Sequence, residues 1–348
     1  VGNMGVTGPD KGKGGKYLVL PPDYTGEIPD GYYLLRPSTN NNFLFLRGSI
    51  TDGLKAAADN FKAGLKIYPL KHKDNPEPTQ FVNMSGRSFS TIFPSTLEYY
   101  EILNTIVQAE PVDAVGPEVR GNMAAIGIVK GKPFNPDERM KKLLTEAATL
   151  GNAAGRSITY DPRIDGVYIY PDTDSNWVMG YANKNTSFEA DGVMGLDARV
   201  LFYYNAGGVT PAMALTRAGA GSDYALAMLD SDDKPFDGAR TYKLHLPPNV
   251  PVNNFWAVTL YDTQTRTQLQ TGQLFPTVGS QDSGITNNPD GSYDVYFAPK
   301  APEGHEGNWL QTVPGKSWFA ILRMYGPLEP WINKTWRPGE IVLLAELP

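Results

Sequence analysis

Short runs of β-branched and aromatic residues dominate the second half of the chain. The four clearest lie at residues 241–246, 255–262, 293–297 and 318–325, and Pro, Gly, Asn or Asp bounds each of them. Such residues fit the pleated, half-buried surface of a strand. Earlier runs at residues 167–170, 199–205 and 224–229 continue the pattern. It predicts a β-sandwich or jelly roll with mostly antiparallel connections.

In the last of the four runs, side chains alternate between two faces. Trp318, Ala320, Leu322 and Met324 point one way, and Phe319, Ile321, Arg323 and Tyr325 point the other way. The first set is wholly apolar, whereas the second contains a charge.

Four Asp-Gly pairs punctuate this half of the chain, at residues 165–166, 191–192, 237–238 and 290–291. Such pairs favour tight turns in which the glycine adopts a positive φ. The last pair predicts a hairpin that leads into residues 293–297, with Gly291 in the left-handed conformation.

The first part of the chain resembles another β region that a helix interrupts. Runs at residues 17–20, 32–35 and 43–47 predict strands of a first sheet. From Thr51 onward, apolar residues recur at helical spacing until Pro69 ends the segment; they are Ile50, Leu54, Ala58, Phe61 and Leu65.

Helix signals replace strand signals between residues 94 and 155. Ser95 and Glu98 form a capping box before an apolar stripe that ends near Pro111. Asn135, Pro136 and Glu138 repeat the signal, and Gly151 is the expected end of the second helix. The fold class predicted is mainly β with a helical connector, with β-sandwich or jelly-roll-like domains at residues 1–93 and 156–348.

Composition narrows the class of protein. The 348 residues suffice for two domains, and the net charge of −6 with a pI near 5.2 argues against a nucleic-acid partner. The absence of cysteine excludes disulfides and thiolate zinc sites. No apolar run approaches the roughly twenty residues that span a bilayer, and no signal peptide is present.

The sequence contains no complete metal-binding or cofactor-binding motif. Asp172, Asp174 and Asn176 match the first three positions of a calcium loop, but Trp177 stands where that loop needs glycine and Asn183 where it needs glutamate. The carboxylates that crowd one turn from Asp230 to Asp237 suit solvent as well as a cation. We predict no metal site and no cofactor.

The strands of the second half carry a family resemblance. Its motifs lie at residues 255–266, 290–292, 296–297, 308–309, 314–316 and 323–327. Together they resemble the family numbered 1214 among domains of unknown function. Residues 31–36 and 43–48 are similar to the latter portion of its usual companion, the family numbered 1254. The resemblance implies jelly-roll-like domains in bacterial proteins that are often exported, and hence a periplasmic or secreted location, but it supplies no catalytic residues.

The companion family usually has further residues upstream, including an Asn-x-Asp-Thr-x-Tyr-type motif that this sequence lacks. We therefore expect a processed or truncated chain whose residues 1–93 form a partial domain. A partial sheet leaves backbone edges and apolar surface that need covering. The expected partner is a missing N-terminal segment, a second chain or a neighbouring subunit.

Candidates for acid and base chemistry are few. His305 and Glu306 stand in a loop between Gly304 and Gly307, which is the kind of segment that presents such groups, although an ordinary exposed loop explains them as well. Asp262 is the third catalytic candidate. His72 lies in a charged turn and His245 on the polar face of a strand, where solvent exposure explains both.

Aromatic residues give the clearest indication of a binding surface. Trp309, Tyr261 and Tyr325 are the candidates for ligand contact, together with Arg323. Arg323 either forms a buried ion pair with Asp262 or Glu329, or points into a ligand groove beside the tyrosines. We predict that a carboxylate holds it.

Two functions of different classes follow. The first is an envelope-associated protein that binds an extended polar ligand such as a glycan; if it is an enzyme, it is a hydrolase, which would need paired carboxylates across the groove. The second is a non-enzymatic assembly module that packs the aromatic, proline-rich residues 326–339 against a sister subunit, as a homo-oligomer.

Overall fold

A computed structural model describes residues 2–87, 90–208 and 214–345 of the chain. The chain divides into two compact units. Unit 1 comprises Val1–Ser90 and Leu97–Leu143, and unit 2 comprises Thr91–Thr96 and Leu144–Pro348. Across the described ranges, every helix is too short or too polar to cross a membrane.

Six α-helices lie in the described parts of the chain, separated by strands. They are α1 (Leu54–Gly64), α2 (Glu98–Ala109), α3 (Pro117–Ala125), α4 (Glu138–Tyr160), α5 (Leu196–Asn205) and α6 (Glu329–Ile332). The early strands are β1 (Tyr17–Val19), β2 (Tyr33–Leu35), β3 (Trp177–Val178), β4 (Glu189–Ala190), β5 (Val193–Met194), β6 (Ser222–Ala227) and β7 (Phe236–Asp237). The later ones are β8 (Tyr242–Leu246), β9 (Val252–Asp262), β10 (Thr277–Gly279), β11 (Tyr293–Ala298), β12 (Trp309–Gln311), β13 (Ser317–Pro327) and β14 (Ile341–Leu343).

Unit 2 is built on two sheets. The larger has the order β10-β9-β13-β6-β3, with β7 also pairing with β13. The smaller has the order β12-β11-β8-β14. All pairings in these sheets are antiparallel except that of β11 with β12. The predicted class, mainly β with helices as connectors, is confirmed.

One hydrophobic core joins the two sheets. Trp318 of the larger sheet is fully buried, and its ring stacks on Phe236 at 4.1 Å and on Phe297 of the smaller sheet at 5.0 Å. The alternation predicted for β13 is confirmed, because Ala320, Leu322 and Met324 are buried in the same core. Period-2 alternation thus places one side of β13 between the sheets and the other side on the outer face.

Helices cover part of that outer face. Phe319 of β13 shares a second apolar cluster with Leu201 of α5, and Ile158 of α4 packs against it. The strand predicted at residues 199–205 is wrong, because these residues belong to helix α5. Its buried positions are Ala198, Leu201, Phe202 and Tyr204, and the i, i+3, i+4 spacing of the first three belongs to a helix.

The Asp-Gly turns are confirmed at three of four pairs. Gly166, Gly192 and Gly291 have positive φ values of 75°, 76° and 85°, and the second of these turns connects β4 to β5. Gly238 is not among the positive-φ glycines. Glycine is needed at position 238 for steric reasons, because a Cβ there would stand 2.1 Å from the Val313 carbonyl oxygen. The hairpin predicted at Gly291 is wrong, because β11 pairs with β8 and β12.

Unit 1 contains β1 and β2, which pair in parallel, and helices α1, α2 and α3. The predicted strands at residues 17–20 and 32–35 and the helix after Thr51 are confirmed. The strand predicted at residues 43–47 is wrong, since these residues have no regular structure, and Phe43 is 89% exposed. The described residues of this unit thus hold one two-stranded sheet, which is less β structure than we expected.

The helical signals of residues 94–155 produce α2 and α4 as predicted, with α3 as an addition. Gly151 does not end α4, which continues to Tyr160. The later Gly155 is buried, and a Cβ there would stand 3.2 Å from the Tyr204 ring. Packing against α5 therefore maintains the helix where propensity alone predicted its end.

Candidate functional site

Arg323 lies near the centre of the larger sheet, on its outer face. Its strand β13 runs between β6 and β9, so that Arg323 pairs with Tyr224 on one side and with Ala257 on the other. Two residues further along β13, Tyr325 pairs with Ser222 and Phe255. This register brings aromatic side chains from three strands around one guanidinium.

The contacts of this guanidinium are mainly with ring faces. The Cζ of Arg323 lies 5.3 Å from the centre of the Tyr224 ring and 5.7 Å from that of Tyr325. The Tyr325 ring stacks on Phe255 at 4.1 Å, and Ser222 Oγ donates a hydrogen bond of 2.9 Å to the Tyr224 hydroxyl. We call Tyr224, Phe255, Tyr261, Arg323 and Tyr325 the tyrosine face. Each of them is half-buried.

Electrostatics keep Arg323 charged. Burial opposes its charge, but Tyr261, Tyr325 and Tyr224 favour the charged form, and the net effect raises the pKa of Arg323. Burial also raises the pKa of the Tyr261 hydroxyl, although the positive charge of Arg323 acts against that shift. The face therefore places tyrosine rings against a charged guanidinium.

The prediction that a carboxylate holds Arg323 is wrong. In the described parts of the chain, no carboxylate lies within ion-pair distance of its guanidinium. Glu329 is exposed in α6, and Asp262 is engaged elsewhere. The strand register explains the error, because it places Tyr224 where an acidic residue would have been needed.

Asp262 stabilises the turn that follows β9. Its carboxylate accepts hydrogen bonds from Lys316 Nζ at 2.5 Å and from the backbone N–H groups of Gln264 and Thr265 at 2.7 and 3.1 Å. Burial would raise the pKa of Asp262, but these hydrogen bonds outweigh it and the pKa is lowered. An ionised carboxylate in this position is a structural anchor.

The remaining candidates lie on or beside the smaller sheet. The His305 ring lies 4.5 Å from that of Tyr296, and Glu306 is exposed in the same loop. Trp309 Nε1 donates to the Ala298 carbonyl at 2.8 Å. Of the four ligand-binding candidates, Arg323 and Tyr325 are in contact on the larger sheet. Tyr261 lies on the same sheet with its ring stacked on Phe319, and Trp309 belongs to β12.

A polar cluster on the smaller sheet was not predicted. His245 Nδ1 hydrogen-bonds to Asp294 at 2.7 Å, and Lys243 Nζ lies 3.4 Å from the other carboxylate oxygen. Alternation placed His245 and Lys243 on the polar face of β8, but it did not show that β11 would set Asp294 opposite His245. Among the described residues, no group of three acidic or histidine side chains could hold a metal ion.

Two members of the tyrosine face were also missed. Tyr224 and Phe255 each lie in a run that the sequence predicted as a strand. Alternation along each strand could therefore have predicted that their side chains point outward. Their position beside Arg323 and Tyr325 depends on strand order. Local sequence carries little information about which strands become neighbours.

Comparison with known proteins gives two family matches. The family described as "Protein of unknown function (DUF1214)" matches residues 221–329, which include the whole tyrosine face. The family described as "Protein of unknown function (DUF1254)" matches residues 2–69. No curated protein matches the chain.

Solved structures share a distant similarity. The VPA0106 protein from Vibrio parahaemolyticus is 18% identical, with a TM-score of 0.48 over 97% of this chain and 77% of that one. An uncharacterised protein from Burkholderia cenocepacia is 13% identical, with a TM-score of 0.28 over 60% of this chain and 44% of that one. The two family matches confirm the pairing expected from the sequence motifs: the chain carries one region that matches DUF1254 and another that matches DUF1214.

Proposed function

We propose that the chain binds an extended polar ligand, such as a glycan, on the tyrosine face. The observation that carries the proposal is the environment of Arg323, whose guanidinium contacts Tyr224 and Tyr325 and has no described carboxylate partner. Tyrosine combines a flat apolar ring with a hydroxyl, and arginine adds several hydrogen-bond donors. This combination suits a ligand with apolar ring faces and many polar groups.

The dimensions of the face permit several contacts at once. Arg323 and Tyr325 are two residues apart on β13, which places them roughly 7 Å apart along the strand. Tyr224 and Phe255 lie on the strands to either side, so the face spans roughly 10 Å across the sheet. Asn253 and Asn254, at the adjoining part of β9, are exposed and extend the polar surface.

Binding is better supported than hydrolysis. A glycosidase needs two carboxyl groups on either side of the scissile bond. Asp262 is buried and paired with Lys316, and Glu306 belongs to a loop beside the smaller sheet. Hydrolysis therefore stays a hypothesis, and so does the location at the cell envelope, which cell fractionation would test.

The alternative function, assembly through residues 326–339, has less support. Trp331 and Trp336 are buried in the core of unit 2, and Trp336 Nε1 donates to the Pro248 carbonyl at 3.2 Å. Their side chains are thus used within the chain. A homo-oligomer or second chain stays a prediction, and exposed apolar residues of unit 1 such as Val6 and Phe43 favour it.

Calorimetric titration of the full chain with a panel of neutral and acidic oligosaccharides tests the proposal. We expect at least one to bind, and Tyr325→Ala to weaken that binding about tenfold, or roughly 1.4 kcal/mol. Tyr99→Ala serves as the control, since Tyr99 is exposed on α2 of unit 1. Equal affinities of the wild type and Tyr325→Ala would contradict the proposal.

A further inference from the structure

We propose that the ligand of the tyrosine face is acidic and that Arg323 binds its carboxylate, as the carboxylate of a uronic acid unit would be bound. This inference rests on the proposed function and deepens it. It starts from a difference in partners between two charged residues on neighbouring strands of one sheet, the half-buried Arg323 and the buried Asp262. Asp262 has a salt-bridge partner and two backbone donors, whereas no described carboxylate reaches Arg323.

Burying a charge costs free energy unless an opposite charge or sufficient hydrogen bonds compensate it. Contact with the rings of Tyr224 and Tyr325 compensates part of this cost. Ring faces do not satisfy the five N–H donors of a guanidinium, and in the described parts of the chain Tyr224 is the side chain whose hydroxyl acts on it as a hydrogen-bond acceptor. Donors therefore remain for a ligand.

The geometry of these donors favours a carboxylate. A guanidinium is planar and offers parallel N–H pairs that match the two oxygens of a carboxylate, and such charge-assisted pairs are stronger than neutral hydrogen bonds. Besides Arg323, the tyrosine face consists of Tyr224, Phe255, Tyr261 and Tyr325, so it contains no carboxylate that would repel an anionic ligand. The tyrosine hydroxyl groups could hydrogen-bond to the sugar oxygens next to the carboxylate.

The charge of the whole chain makes this attraction local. The net charge is −6, so a polyanion gains nothing from the protein as a whole. Specificity for an acidic ligand would then depend on the half-buried Arg323. A half-buried pair of this kind is screened by salt less than a surface pair is.

Matched ligands isolate the carboxylate. Oligogalacturonate and its methyl ester share one sugar skeleton and differ in charge, and alginate and hyaluronan oligosaccharides supply other uronic acids. We expect a uronate to bind the wild-type chain at least tenfold more tightly than its ester or a neutral oligosaccharide of the same length. Calorimetric titration of the full chain measures the difference.

Variants then assign the difference to Arg323. Arg323→Gln should lower the affinity for the uronate by at least tenfold and the affinity for the ester by less, so that the preference for the acid over the ester is lost. Arg323→Lys should retain part of the preference, because it keeps the charge but loses the paired donors. Arg240→Gln, an exposed site in the same unit, should leave both affinities unchanged. Near-UV circular dichroism checks that each variant is folded.

The outcomes separate the two proposals. If acid and ester bind equally well to the wild type, the carboxylate inference is wrong and glycan binding stands. If neither an oligosaccharide nor polyglutamate binds, the proposed function is wrong. Polyglutamate is the last ligand tested. If it binds in an Arg323-dependent manner while no uronate binds, then Arg323 does recognise a carboxylate but the ligand is not a glycan. The comparison of acid and ester on the wild type is informative even if a variant fails to fold.

Discussion

Asp262 and Arg323 carry opposite charges on neighbouring strands, yet they do not pair. Asp262 is aligned with Trp318 and Arg323 with Ala257, so five residues, or roughly 16 Å, separate them along the strands. They also belong to opposite faces, because Trp318 points into the core and Arg323 points outward. Asp262 is therefore free to pair with Lys316, and Arg323 is left to the tyrosines.

Asp262→Asn tests the structural role of this carboxylate. Since the pKa of Asp262 is lowered below its ordinary value of 3.8, its contribution to stability is fully present above about pH 4 and is lost as the pH falls through the folded-state pKa. We expect the variant to lose about 1–3 kcal/mol of unfolding free energy at pH 7. The loss should shrink as the pH falls below about 4.

Urea unfolding at pH 7 and at pH 3 measures the difference. Asp174→Asn is the control, because Asp174 is exposed and exposed substitutions usually change stability by less than about 0.5 kcal/mol. A loss for Asp262→Asn that is the same at pH 7 and pH 3 would show that the side-chain shape matters and the charge does not.

At this scale, sequence identified the type of residue better than its partner. Tyr261, Arg323 and Tyr325 were selected because alternation places them on one strand face or on a neighbouring run. The partner of Arg323 was predicted wrongly, because Tyr224 is 99 positions away in the chain and only the pairing of β6 with β13 brings it close. Long-range register is decided by the packing of the whole sandwich.

Strands and helices were predicted where one physical signal dominated. The alternation of β13 and the helix signal before α2 involve residues a few positions apart, and both elements formed as expected. The capping box predicted at Ser95 and Glu98 is wrong, because α2 begins after Leu97 without a side-chain cap. Helix α5 was misread because Phe202, Tyr203 and Tyr204 are residues typical of strands, although the spacing of its buried positions is helical. Residues 43–47 show the opposite case, in which strand-forming residues find no partner in the described part of unit 1.

Three glycines of unit 2 should respond differently to alanine. Gly291→Ala should lose about 1–2 kcal/mol, because φ is 85° while the nearest atom to a new Cβ lies at an ordinary 3.6 Å. Gly238→Ala should lose about 3 kcal/mol or more, since its Cβ would meet two carbonyl oxygens at 2.1 and 2.6 Å. Gly151→Ala should gain about 0.5–1 kcal/mol, as an open position within α4.

Thermal and urea unfolding of the three variants give this order. The order depends on two separate causes, backbone conformation at Gly291 and steric contact at Gly238. If Gly238→Ala lost no more stability than Gly291→Ala, this would contradict the close contact between Gly238 and residues 313–316. A loss of stability in Gly151→Ala would contradict an open surface at that helix position.

At the scale of the molecule, the two units differ in how much apolar surface they bury. The three clusters of buried apolar residues in the described chain all belong to unit 2. In unit 1, the buried apolar side chains among the described residues are Leu18, Leu20 and Ile128, whereas Phe43, Ile50 and Leu54 are mostly exposed. Because apolar burial is the main source of stability, unit 1 should be the less stable unit.

Urea unfolding with two optical probes can separate the units. All six tryptophans lie from position 177 to position 336, so their emission reports on unit 2. Helices α1, α2 and α3 lie in unit 1 and contribute to the far-UV circular dichroism. We expect part of the dichroism to be lost at urea concentrations where tryptophan emission is still native. Coincident transitions would show instead that the chain unfolds as one cooperative unit, because probes of a two-state transition must agree.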